Sequence, residues 1–170
     1  MKPWMVGSLA VVVFGCGGGP EEERIEPPPG ESQIVADYKR ELGLDFLRCP
    51  KMIHVPRPPG PCSDALREAG QCFVDAFTSC TPAHVSTLHY VDDGWYVSDF
   101  LVVPAGETCS VVHFSDTTHA KRDCRTVSRT TCDRVKLEDG EGGCGLRSLG
   151  TCGEEVELVA DPRPFCSKGG

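Results

Sequence analysis

Eleven cysteines and five histidines are the residues of this chain best suited to chemistry. Ten of the cysteines are spread through its body: Cys49, Cys62, Cys72, Cys80, Cys109, Cys124, Cys132, Cys144, Cys152 and Cys166. Zinc knuckles and ribbons hold two thiolates two to four residues apart. Here the closest pairs, Cys72/Cys80, Cys124/Cys132 and Cys144/Cys152, stand eight apart. The absence of C-x-x-C also removes a thioredoxin-like redox site. The pattern suits structural disulfides formed in an oxidising compartment, with no metal site and no cofactor.

The histidines offer a sharper idea. A two-residue turn at Asp93-Gly94 sets His89 opposite Ser98, and a second turn within Pro104 to Glu107 sets Ser98 opposite His113. The result is a His-Ser-His row on one sheet face, able to hold a metal or activate a nucleophile. Against catalysis, a nucleophilic serine normally sits at a strained turn rather than in mid-strand. The plain alternative is a pair of partly buried histidines satisfied by hydroxyls. No Gly-x-Ser-x-Gly, phosphate loop, dinucleotide fingerprint or HExxH motif occurs. Nothing in the residues therefore requires an enzyme.

The elements that must position these groups are legible in the apolar periodicity. Ile34, Tyr38, Leu42 and Phe46 form one helical stripe, weakened at Gly43 and stopped by Cys49-Pro50. The proline-punctuated stretch from there to Cys62 reads as a stapled irregular loop. Ser63 or Asp64 caps a second helix reaching about Cys80, with Leu66, Ala69, Phe73, Ala76, Phe77 and Cys80 on its apolar face and Gly70 as a weak point. The period then becomes two over His84 to Val91, Trp95 to Val103 and Thr108 to Phe114, a three-stranded meander. Shorter candidates follow at Arg122 to Val127, Arg134 to Leu137 and Glu154 to Ala160. The expected class is α+β: two N-terminal helices, an antiparallel β-meander, then a cysteine-rich β/loop C-terminal part, all disulfide-stapled.

Geometry selects one bridge. Cys72 and Cys80 are about 12 Å apart along a helix, too far to bond each other, since a disulfide wants Cα atoms within about 7 Å. Cys80 ends the helix beside the start of the first meander strand, and the turns bring Cys109 to that end. Cys80 is therefore paired with Cys109, burying the face of Val85, Phe100, Val102 and Val111 under Phe73 and Phe77.

The eleventh cysteine, Cys16, stands apart behind the apolar run Trp4 to Phe14. That run is shorter than the roughly 20 residues a spanning helix needs and reads as a cleavable signal. Val13-Phe14-Gly15-Cys16 resembles the lipobox of bacterial lipoproteins. The resemblance implies cleavage before Cys16 and its modification with diacylglyceryl and N-acyl chains of the palmitate type, which together hold a membrane far better than one chain. It also implies a cell-envelope location, on the periplasmic or surface face of the outer membrane. Residues 1–15 are thus the signal, and 16–33, rich in Gly, Glu and Pro, a disordered tether. Residues 34–170 form a single domain.

Losing the signal removes only Lys2 from a balance of 17 basic against 25 acidic residues. A chain this acidic is poorly suited to nucleic acid or to electrostatic adhesion on an anionic membrane. The leading expectation is a lipid-anchored envelope protein with a binding or structural role toward an envelope protein or ligand. The alternatives are an envelope hydrolase using His89, Ser98 and His113, and an inhibitor-like module displaying Pro56 to Pro61.

Overall fold

The computed structural model describes residues 31–54, 60–91, 94–120, 124–140 and 143–160. The expected signal, Cys16, almost all of the tether, most of the Pro56 to Pro61 loop and Cys166 lie outside these residues.

The first helix, α1, spans Gln33–Leu42. Ser32 caps it, its hydroxyl accepting from the Val35 N–H at 3.3 Å, and Gly43 ends it in the left-handed conformation at φ 62°, which glycine adopts without steric cost. The second helix, α2 (Asp64–Thr78), is capped by Ser63 in the same way. It stops in a Schellman geometry, with Cys80 N–H donating to Phe77 and Thr81 N–H to Ala76. Cys80 fills the position usually held by glycine, at φ 55°.

The expected fold class needs correction. The helices are not consecutive, because two short strands, β1 (Leu47–Arg48) and β2 (Met52–His54), lie between them. Both run parallel to β3 (Ala83–Val91), with Leu47 beside Ala83 and His54 beside His89. The proline-rich segment hid these strands because each is too short to show a period of two. The meander also continues past three strands. β4 (Gly94–Ala105) and β5 (Thr108–Asp116) are followed by β6 (Val127–Gly140), β7 (Gly143–Cys152) and β8 (Val156–Val159). The protein is one mixed eight-stranded sheet, ordered β1-β3-β4-β5-β6-β7, with β2 beside β3 and β8 beside β6. From Val127 to Val159 the described residues are mostly strand rather than loop.

Both sheet edges are interrupted strands. β1 and β2 follow one another along β3, separated by Cys49 to Lys51, and β7 and β8 follow one another along β6, separated by Gly153 to Glu155.

Strand alternation gives the sheet two apolar faces, and each receives a helix. Phe73, Ala69 and Ala76 of α2 pack on Val85, Phe100, Val102 and Val111. Val35 of α1, wholly buried, packs on Leu101, Val112 and Phe114 of the opposite face, with Tyr38 edge-on to Phe114 at 5.3 Å. The far half of the β6–β7 hairpin curls over α2. Gly70, weak by helix propensity, is where Leu137 lies against the helix; a Cβ there would stand 2.5 Å from the leucine Cδ1.

Four bridges are seen among the described residues: Cys49–Cys72, Cys62–Cys144, Cys80–Cys109 and Cys132–Cys152. Cys124 is disulfide-bonded too. Beside Cys62–Cys144, Asp139 accepts from the Cys62 N–H and from Arg67 Nε, each at 2.7 Å. The Arg67 hydrogen bond, then that of Cys62, holds the Asp139 carboxyl below its ordinary pKa.

Candidate functional site

The sheet register decides the fate of the His-Ser-His row. The first hairpin pairs Val91 with Gly94, so its loop is Asp92-Asp93, outside the described residues, and Gly94 belongs to β4. The second pairs Ala105 with Thr108, closing over Gly106-Glu107. Each turn is displaced by one position from the expected one, and opposite residues shift by two. His89 faces Tyr96, Ser98 faces Thr87 on one side and Ser115 on the other, and His113 faces Phe100. Because the shift is even, His89, Ser98 and His113 keep a common face, that of α2, but as diagonal neighbours.

His89 instead meets a residue that the spacing did not single out. His54, its parallel partner on β2, stacks on it with ring centroids 4.2 Å apart and planes 5° from parallel. His54 is pushed down to a pKa of about 4, by burial first and then by the neighbouring charge His89 would carry. Burial lowers His89 as well. His113 lies flat on Phe100 at 4.4 Å. Burial lowers its pKa, against smaller opposing contributions from Asp99 and Glu155. The Nε2 atoms of His54 and His113 are buried without a hydrogen-bond partner. Burial thus favours the neutral form of each ring, packed as a flat surface, and moves it away from the poise near pH 7 of a general base. Among the described residues no three His, Cys, Asp or Glu side chains converge as a metal site.

The other face holds a second set. His84 and Ser86, two apart on β3, both point toward α1 and meet Asp99 of β4, which faces Ser86 in register. His84 Nε2 lies 2.8 Å from Asp99 Oδ1, and the Ser86 hydroxyl donates to the same oxygen. His84 Nδ1 is 3.5 Å from Lys39 Nζ on α1, and that ammonium pairs with Glu31 at 3.2 Å. All three sheet residues are buried, Asp99 to 2% exposure.

Serine, histidine and aspartate together invite a triad reading, which the connectivity refuses. In a triad the imidazole bridges serine and carboxylate through different nitrogens. Here the serine gives its proton directly to the aspartate, and the imidazole turns its other nitrogen to a lysine. The hydroxyl is consumed and sealed from solvent. The arrangement satisfies a buried carboxylate, as burial of a charge demands, and ties α1 to the sheet. One sequence signal could have pointed to it: Asp99 stands in the strand Trp95 to Val103, directly before the apolar run Phe100 to Val103, where an acid must find partners.

Cys80 and Cys109 are brought together, with Cα atoms 5.6 Å apart. Cys16 and Cys166 lie outside the described residues. No family model, curated protein or solved structure matches the chain. Its function therefore has to be argued from its own residues.

Proposed function

We propose that this protein is a lipid-anchored cell-envelope module with a binding or structural role. The observation that carries the reading is the odd cysteine. Nine of the ten body cysteines are described, and every one of the nine is disulfide-bonded, as an oxidising compartment favours. In the sequence Cys16 lies 33 residues before the first of these cysteines, directly behind a short apolar run and in a box-like sequence. A free, exposed thiol is a liability under oxidising conditions, and acylation removes it.

A non-catalytic role is favoured by the state of the polar side chains. The Ser86 hydroxyl is committed to Asp99, and His54, His89 and His113 are held toward their neutral forms by burial. The test is metabolic labelling with a fatty acid, followed by mass spectrometry of the N-terminal peptide. Acyl chains on Cys16 are expected; an unmodified Cys16 thiol, or cleavage elsewhere, refutes the anchor. Loss of a hydrolytic activity on His89→Ala with the fold intact would refute the non-catalytic role.

A further inference from the structure

Of the six large apolar side chains found exposed among the described residues, five lie on edge strands of the sheet, and the sixth, Leu44, precedes β1 by three residues. Leu47 and Ile53 are 50% and 44% exposed on β1 and β2. Val156, Leu158 and Val159 are 44%, 37% and 38% exposed on β8, at the opposite edge. Apolar residues gathered in this way mark contact surfaces. Among the described residues β1 and β2 pair only with β3, and β8 only with β6. Their outer N–H and C=O groups are a template for a further strand.

The two edges differ in charge. From Leu44 to His54 the formally charged residues are Asp45, Arg48 and Lys51, all exposed, a net positive stretch with both cations on or beside the strands and the acid before them. From Gly153 to Ala160 they are Glu154, Glu155 and Glu157. Glu154 and Glu157 extend from an exposed stretch, with Val156 and Leu158 between and beside them. Either edge repels a copy of itself and attracts the other, since charge of this kind sets partner choice more than affinity.

We propose that the β8 edge of one copy of this chain docks on the β1/β2 edge of a second copy. Main-chain hydrogen bonds would extend the sheet, apolar side chains would cover one another, and the glutamates would meet Arg48 and Lys51. Among the described residues the two edges of one copy are not paired with each other; along the sheet they are five inter-strand spacings apart, about 24 Å of contour at roughly 4.8 Å each. The contact is heterologous, so it leaves a free edge at each end and propagates as an open row. Short strands make each junction small and therefore weak.

The test is sedimentation velocity of the full chain in a non-ionic detergent, which keeps the apolar N-terminal run from associating by itself, at concentrations up to about 1 mM. Wild-type protein should form dimers and longer species that dissociate as salt is added. Reversing either edge, Glu154→Lys with Glu157→Lys or Arg48→Glu with Lys51→Glu, should weaken self-association at least tenfold. Mixing the two reversed proteins should restore it, because each then offers the edge that the other lacks. These exposed positions leave the core untouched, and far-UV circular dichroism checks that both variants are folded. Zero-length carbodiimide coupling of isotopically light and heavy copies should join Lys51 of one to Glu154 or Glu157 of the other. The proposal is overturned by a wild-type monomer throughout the range, by association that survives reversal, by a mixture that stays monomeric, or by cross-links confined to like edges.

Discussion

α1 and α2 cover opposite faces of one sheet by different means. Three of the described bridges act on α2: Cys72 within it joins Cys49, Cys62 just before it joins Cys144, and Cys80 just after it joins Cys109. No described bridge touches α1, which is held by Val35, by aromatic packing and by the Lys39–His84–Asp99 chain. The difference follows what each helix meets. α1 lies on the long central strands β4 and β5, where Leu101, Val112 and Phe114 already form an apolar floor. α2 must also hold the interrupted β1/β2 edge and the curled β6–β7 hairpin. Cys49 sits between β1 and β2, and Cys144 opens β7. Two of the three links sit where the strands are short or far from the sheet centre, and the third, Cys80–Cys109, ties the end of α2 to the central β5.

The histidines divide in the same way. On the α1 face His84 is hydrogen-bonded to an acid; on the α2 face His54, His89 and His113 pack as flat rings, with burial favouring the neutral form. One face spends its polar groups on fastening a helix, while the other uses imidazoles as surface filler.

The strongest way to break the contrast is to reduce the protein. A native disulfide contributes about 2–5 kcal/mol and a whole domain is stable by about 5–15 kcal/mol, so losing the framework should unfold it. The expected reading is a large fall in thermal midpoint in excess reductant. An unchanged midpoint would mean that α2 is held as α1 is, by packing alone.

Phe73→Ala comes next. It empties a fully buried site between α2 and Phe100, whose rings meet at 6.1 Å, and should cost about 3–5 kcal/mol in urea unfolding with the bridges intact. A loss under about 1 kcal/mol would show that the disulfides, rather than the core, carry that face.

Asp99→Ala should cost about 3 kcal/mol, because it leaves His84 and Ser86 buried with their shared acceptor gone. Hydrogen exchange should then accelerate in α1 more than in α2. Equal acceleration in both helices would end the claim that this network fastens α1 in particular.

The smallest effect concerns pH. His54 falls from 6.5 to about 4 on folding, so between those values the unfolded chain binds more protons than the folded one. The contribution of His54 should decline as pH drops through that window and level off below about 4, where Asp139, held low by Arg67, begins to lose its own. His89 and His113 act in the same direction. His54→Phe keeps a flat ring on His89 and should reduce the decline, measured as the thermal midpoint from pH 7 to pH 4. An identical pH profile in the variant would show that the stack is not its source.

By itself the sequence determined what depends on neighbours along the chain. Ser63 marks the start of α2 through a local hydrogen bond, and period-two alternation located β3, β4 and β5; α1, expected to carry Phe46 and stop at Cys49-Pro50, ends instead at Gly43. Helix-to-strand proximity was enough to place Cys80 near Cys109. The tertiary structure decided what depends on which segments meet. Leu47 and Met52 to His54 become strands only because β3 offers them an edge, and two- or three-residue strands have no periodicity to read. The His-Ser-His row dissolved through a one-position displacement in each hairpin loop, a choice made by how the whole sheet packs rather than by the turn residues alone. Asp99 could be recognised as an acid needing partners, but His84, Ser86 and Lys39 became those partners only when α1 settled on the opposite face from α2.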